Sequence, residues 1–453
     1  MKKKRKIKIS TTHIILLSFL FAILAGAFLL SLPISSQDGE WTPFVDALFT
    51  STTATCVTGL VVVPTFSSWS TFGHIVILVL IQIGGLGVVT VVAALSLLLN
   101  RKMGLSDSML LKDSFNLNSL SGLAAFVKKV IFGTFVIEGI GALLYMTVFV
   151  PKFGARGIWI SVFNSVSAFC NAGMDIIGEN SLCEYAKDPI INLTTSALII
   201  LGGLGYIVWW DVVRVIKERR TKRGRLFGRL TLHSKIAISS TAFLIVVPAV
   251  LFFIFEYNNP KTIGGFDIGT KALASLFQSV TTRTAGFMTV SQADLTTASA
   301  IVSMALMFIG GSPVGTAGGI KTVTFVVLIV TTAATISNKD DTVLMGRRLS
   351  SEVVTKAISV AMMSLSIVFI STLLLSLVTS APLIDLMYET VSATATVGLS
   401  RNLTSTLDTI GKLIISLTMY LGRVGPISLA VAFSIKRRAQ SIIRDPIEEI
   451  SVG

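Results

Sequence analysis

Four glycines carry the first chemical signal in this chain of 453 residues. Gly59, Gly173, Gly286 and Gly398 end the segments FTSTTATCVTG (49–59), FNSVSAFCNAG (163–173), FQSVTTRTAG (277–286) and YETVSATATVG (388–398). Each segment opens on an aromatic residue followed by x-[ST]-x-[ST], and the glycines are 114, 113 and 112 residues apart. Recurrence at a fixed period marks an internal repeat. The chemistry open to such loops is the binding of a dehydrated cation, because an extended stretch offers successive backbone carbonyls around an axis. Glycine belongs where that path needs dihedrals a Cβ resists. The candidate ion-binding set is Thr55, Cys56, Val57, Thr58 and Gly59, then Phe169, Cys170, Asn171, Ala172 and Gly173, then Arg283, Thr284, Ala285 and Gly286, and finally Thr394, Ala395, Thr396, Val397 and Gly398. Arg283 reads as a brace, since a cation on the axis repels it. The hydroxyls of residues 50–53 and their counterparts are placed to bond the loops or neighbouring helices.

These loops need elements to position them. The chain is 52% hydrophobic and only 14% charged, against about 25% charged in soluble domains; its mean hydropathy is +0.79. Apolar runs at 13–32, 75–99, 130–150, 190–210, 236–255, 298–334, 357–378 and 413–434 are long enough to cross ~30 Å of hydrocarbon as helices. Open strands cannot satisfy their backbone in lipid, so the reading is an all-α polytopic membrane protein. Each glycine segment lies between two runs and is preceded by a stretch too short to cross: 43–53, 158–167, 270–280 and 382–392. The unit is therefore span, short re-entrant helix, glycine loop, span. Four such units (approximately 13–100, 127–213, 235–334 and 357–435) return to the same side, which predicts parallel repeats in pseudo-fourfold symmetry around a central pore. One membrane domain covers 1–453, with 436–453 as a cytoplasmic tail.

The net charge of +14 suggests nucleic acid in a soluble protein, but its placement gives another answer here. Of the 38 Lys and Arg, 28 fall in 2–8, 101–129, 214–235, 339–356 and 436–444, each after an even number of spans. The positive-inside rule makes that side cytoplasmic, with both termini on it. The segment 214–235 suits anionic lipid or a partner subunit. The opposite side carries 13 acids against 7 bases, a field that concentrates cations at an entrance. MKKKRK before the first run reads as the flank of a span and not as a cleaved leader. Three cysteines and His13, His74 and His233 give neither a disulfide framework nor metal spacing, and acids, bases and nucleophiles do not cluster as in an enzyme.

The third unit departs from the others. Its second run is too long for one crossing and contains Gly310, Gly311, Ser312, Pro313, Val314, Gly315, Thr316, Ala317, Gly318 and Gly319, followed by Lys321. Glycine and proline at that density disfavour helix, so 310–319 is expected to form a mobile gate beneath the third loop, the alternative being a static kink. GTAGGIKT is not a phosphate loop, because Ile320 separates the glycine from the lysine. Arg423, in LGRVGP, needs a polar interior; it is expected to face the pore or a gate carbonyl, the alternative being a buried pair with Glu138.

The loops TCVTGL, FCNAGM, RTAGF and TVGLS, with the breaks IGGSPVGTAGGIKT and LGRVGP, resemble the Trk/Ktr/HKT superfamily of potassium transporters. The likeness is to the membrane subunit of bacterial Ktr systems and extends over nearly the whole chain. It implies potassium as the transported ion at the filter, glycine at position 59 being the potassium-associated form. It also implies uptake through a channel-like pore in the bacterial plasma membrane, a homodimer with one pore per protomer, and a cytosolic nucleotide-binding regulatory ring of RCK type. Sodium dependence is a further implication; no cofactor is expected in this chain and no nucleic-acid partner. A secondary transporter coupled to sodium or protons is the alternative.

Overall fold

The computed structural model describes residues 11–98, 109, 122–218, 226–339 and 341–425. The tail at 436–453, the segment 2–8 and most of 101–129 lie outside the described residues. The described chain is predominantly helical; its helices longer than one turn are, in order, α1 (Thr11–Ser31), α2 (Phe44–Cys56), α3 (Thr71–Leu86), α4 (Val88–Leu98), α5 (Leu123–Phe153), α6 (Ala155–Cys170), α7 (Pro189–Leu204) and α8 (Tyr206–Lys217). It continues with α9 (Leu232–Glu256), α10 (Ile268–Thr281), α11 (Thr297–Ile309), α12 (Thr322–Ile336), α13 (Ser351–Ser376), α14 (Leu383–Ala395) and α15 (Thr409–Val424). A two-stranded hairpin, Val343–Leu344 with Arg347–Arg348, interrupts the helices between α12 and α13. Its turn places Met345 and Gly346 at positive φ, the conformation of a two-residue hairpin loop.

Four helices, α1, α5, α9 and α13, are long and apolar enough to cross a membrane, or six spans if the bent pairs α3–α4 and α7–α8 each count once. Their outward faces are apolar as well: Phe21, Phe132 and Phe369 are about 70% or more exposed, a distribution suited to lipid and not to water. The helix that follows the glycine loop in each unit starts on a capped end. Ser70, Asp188, Thr296 and Asp408 precede α3, α7, α11 and α15, and each accepts a hydrogen bond from a first-turn amide. Such caps satisfy donors that the helix leaves orphaned.

The second runs of units one and two are not straight, contrary to the reading of 75–99 and 190–210 as single spans. Gly87 and Gly205 take φ of +85° and +92°, and the helices on either side meet at 96° and 95°. An L-residue resists that backbone, so the break falls on the last glycine of I-G-G-L-G and L-G-G-L-G. In the third unit α11 ends at Ile309 and α12 begins at Thr322, which places the glycine-rich stretch outside helix as its composition predicts.

The short helices α2, α6, α10 and α14 form the centre of the molecule. Their motif aromatics Phe49, Phe163, Phe277 and Tyr388 are at most 1% exposed. They run further than expected, ending at Cys56, Cys170, Thr281 and Ala395. In α2, α6 and α14 the next residue is left-handed and stops the helix, whereas α10 ends through Thr282 in the right-handed region. A left-handed residue lies two before each glycine: Val57, Asn171, Thr284 and Thr396 all have positive φ.

Candidate cation site

The four glycines meet. A Cβ on Gly59 would lie 2.5 Å from Ala172 O, on Gly173 2.5 Å from Ala285 O, and on Gly286 2.5 Å from Val397 O; on Gly398 it would abut Thr58 O. Each glycine thus packs on the carbonyl that precedes the next, and the fourth returns to the first. All four have positive φ, from +66° to +98°. The carbonyls of Thr58, Ala172, Ala285 and Val397 therefore stand at corresponding places in a closed cycle, and no side chain fits where the glycines are.

The repeated pattern explains how the loops are held. Its first hydroxyl ties the short helix to the long helix before it: Ser51 Oγ donates to Ile23 O (2.6 Å), Ser165 Oγ to Glu138 O (2.6 Å) and Ser279 Oγ to Ile245 O (2.7 Å). In the fourth unit Thr390 shares a 2.7 Å bond with the Thr372 hydroxyl. The second hydroxyl locks the loop. Thr53 Oγ1 accepts from Gly59 N (2.9 Å) and Ser392 Oγ from Gly398 N (3.0 Å), while Ser167 Oγ donates to Met174 O (2.5 Å) and Thr281 Oγ1 to Phe287 O (2.6 Å). The C-terminal ends of the four short helices, with their partial negative charge, lead directly into the cycle. At its outer end α10 is capped by Asp267, whose carboxyl the Thr270 hydroxyl and amide hold below the usual carboxylate range.

Within the candidate set, Thr55, Cys56, Phe169, Cys170, Thr394 and Ala395 belong to the last helical turns, not to the loops. Carbonyls of three of them face another element: a Cβ on Gly84, Gly202 or Gly422 would strike Thr55 O, Phe169 O or Thr394 O. These second-helix glycines were absent from the sequence-based set. Their signal was the recurring GG or GR pair 25, 29 and 24 residues after the loop glycine. Buried side-chain polar atoms without a hydrogen-bond partner among the described residues gather here too: the oxygens of Thr55, Thr58, Thr394 and Thr396 and the Asn171 amide. Arg283 is buried and directs Nη2 toward Thr241 Oγ1 and Gly310 O, both at 3.4 Å.

Residues 310–321 lie against the inner ends of these loops. Thr316 Oγ1 donates to Phe169 O (3.0 Å), Gly318 N to Thr284 Oγ1 (3.2 Å), Ser312 N to Gly203 O (2.8 Å) and Tyr206 N to Val314 O (2.8 Å). A Cβ on Gly318 would strike Thr396 Oγ1. Lys321 Nζ turns back onto Ala317 O at 2.6 Å. Arg423 donates from Nη1 to Thr316 O (2.7 Å) and from Nη2 to Gly84 O (2.5 Å). It does so from the position that Gly85 and Gly203 hold in units one and two. Glu138 takes other partners.

Long apolar helices around a closed cycle of backbone carbonyls define a helical membrane protein. The chain belongs to the TrkH family of cation transport proteins, whose pattern matches residues 2–444. It is 38% identical over 449 residues to the Ktr system potassium uptake protein B of Bacillus subtilis, covering 99% of this chain and 98% of that protein. It is also 38% identical over 460 residues to the potassium/sodium uptake protein NtpJ of Enterococcus hirae, covering 100% and 99%. The fold is similar to the crystal structure of the potassium transporter TrkH from Vibrio parahaemolyticus, with a TM-score of 0.76 at 15% identity over 96% of this chain and 87% of that one.

Proposed function

We propose that this protein carries potassium into a bacterial cell through a channel-like pore with a selectivity filter of four glycine loops. The observation that carries the reading is the cyclic packing of Gly59, Gly173, Gly286 and Gly398 on the carbonyls of their neighbours. Rings of carbonyl oxygens replace the hydration shell of a cation, and the four span–short helix–span units then relate by a pseudo-fourfold axis along the pore. Residues 310–319, with Lys321 and Arg423, are the gate beneath it: a loop held by a few hydrogen bonds to both sides of the path. The names of the similar proteins supply the ion. The family resemblance implies, and the proposal includes, a homodimer in the plasma membrane, termini in the cytoplasm, a nucleotide-binding regulatory ring and a dependence on sodium.

The test is potassium uptake in a strain lacking its own uptake systems, with the regulatory subunit co-expressed, comparing wild type with Gly59→Ser. Rescue by wild type at limiting potassium with weakened potassium preference in the variant is the expected result. Saturable exchange of potassium for sodium or protons at fixed stoichiometry overturns the channel-like pore in favour of a coupled transporter.

A further inference from the structure

We infer that Gln82 and Glu138 clamp Cys170 from two sides and thereby set the position of the second glycine loop, making them selectivity-determining residues; the inference rests on reading the loops as a filter. Glu138 is 4% exposed in the middle of α5. The corresponding residues of units one and three, whose carbonyls accept the same serine brace, are Ile23 and Ile245. Gln82 lies two residues before Gly84, where the other units carry Ile200, Phe308 and Tyr420 before Gly202, Gly310 and Gly422. Two polar residues thus enter apolar or aromatic positions of different helices in different units, and they meet.

Gln82 Nε2 donates to Glu138 Oε2 at 3.3 Å, and the Cys170 thiol donates to Gln82 Oε1 at 3.6 Å and to Glu138 Oε1 at 3.9 Å. A carboxyl at this depth is costly and persists for a function; among the described residues, the side chains of Glu138 and Gln82 hydrogen-bond each other and Cys170. Cys170 is the last residue of α6, one before Asn171, where φ turns to +61° and the loop begins. The fit is tight, since a Cβ on Gly85 would lie 2.5 Å from Cys170 Sγ. Displacing the thiol therefore displaces the start of the loop.

The experiment measures the potassium-to-sodium permeability ratio in proteoliposomes for Glu138→Ile, Gln82→Ile, the double variant, Glu138→Gln and Gly59→Ser. Glu138→Ile and Gln82→Ile each lower the ratio about tenfold, the scale of one misplaced hydrogen bond. The double variant falls no further, because both residues act through one contact. Glu138→Gln keeps the shape, one acceptor for the Cys170 thiol and, with the Gln82 amide turned over, a hydrogen bond to Gln82, and it restores the ratio to near wild type. A merely structural role lowers both fluxes together and leaves the ratio unchanged, which overturns the inference, as do effects that multiply in the double variant. Should Glu138→Ile not fold, Gln82→Ile reads the clamp from α3 alone. If Gly59→Ser lowers the ratio and the clamp variants do not, the inference fails by itself; if Gly59→Ser also leaves it unchanged, the filter reading fails with it.

Discussion

The two hydroxyls of the aromatic-x-[ST]-x-[ST] pattern have different partners and should fail differently. Ser165 holds α6 against α5, whereas Ser167 reaches past the glycine to Met174 O. Losing either buried bond costs about 1–3 kcal/mol. Ser165→Ala is expected to lower thermal stability in detergent with the permeability ratio intact, and Ser167→Ala to lower the ratio as well; equal ratios in the two variants contradict this division. Arg423 makes a different kind of bond, joining the 310–321 loop to α3 through two carbonyls. Arg423→Gln releases that tie and is expected to raise maximal potassium flux about fivefold or more, the usual scale of a coupling between two states. Unchanged transport kinetics count against a gating role. The sequence made Arg423 conspicuous because a guanidinium inside an apolar run demands a polar partner. It could not choose between a carboxylate and a carbonyl, and Glu138 proves to be occupied by Gln82 and Cys170.

At the scale of elements, the third unit departs from the others at two places that bear on one another. Its loop segment is one residue shorter from aromatic to glycine than the other three, and its second helix is split by residues 310–321. Those residues touch units two, three and four at once through Phe169, Thr284 and Arg423. Deleting three residues between Pro313 and Gly318 should remove the contacts to Phe169 and Thr284 and raise potassium flux; lower or equal flux in a folded deletant speaks for a fixed kink. This break was legible from glycine and proline density. The right-angle breaks at Gly87 and Gly205 are not legible, although G-G-L-G recurs in both places, because a glycine inside an apolar run is equally compatible with close helix packing. Only the positive φ separates the two cases. The ends of the short helices are hard to read for a related reason: threonine, cysteine and alanine permit helix or loop, and the left-handed residue two before each loop glycine is a valine, an asparagine or a threonine, of which only asparagine favours that conformation.

For the whole molecule, a cycle of four units in one chain must close between the last and the first. Lys412 of α15 and Asp46 of α2 do this with a 2.6 Å ion pair, each side chain no more than 20% exposed. Arg401 adds a bond to Asp385 at 2.7 Å and to Gln292 O at 2.9 Å, joining units three and four. Lys412→Ala strands a largely buried carboxylate at a cost of about 1–3 kcal/mol. The expected result is a lower melting temperature in detergent, recovered in the exchange Asp46→Lys/Lys412→Asp; a melting temperature equal to wild type in Lys412→Ala removes the pair from any role in closure. The cycle itself was foreshadowed by the glycine spacing of 114, 113 and 112 residues, but which carbonyl each glycine meets is a matter of packing that spacing does not encode. The most direct measurement is the potassium-to-sodium permeability ratio of purified protein in liposomes, for wild type and for serine at 59, 173, 286 and 398 in turn. A shared ring predicts that all four variants lose potassium preference while remaining folded. Loss at one position with wild-type ratios at the other three contradicts it.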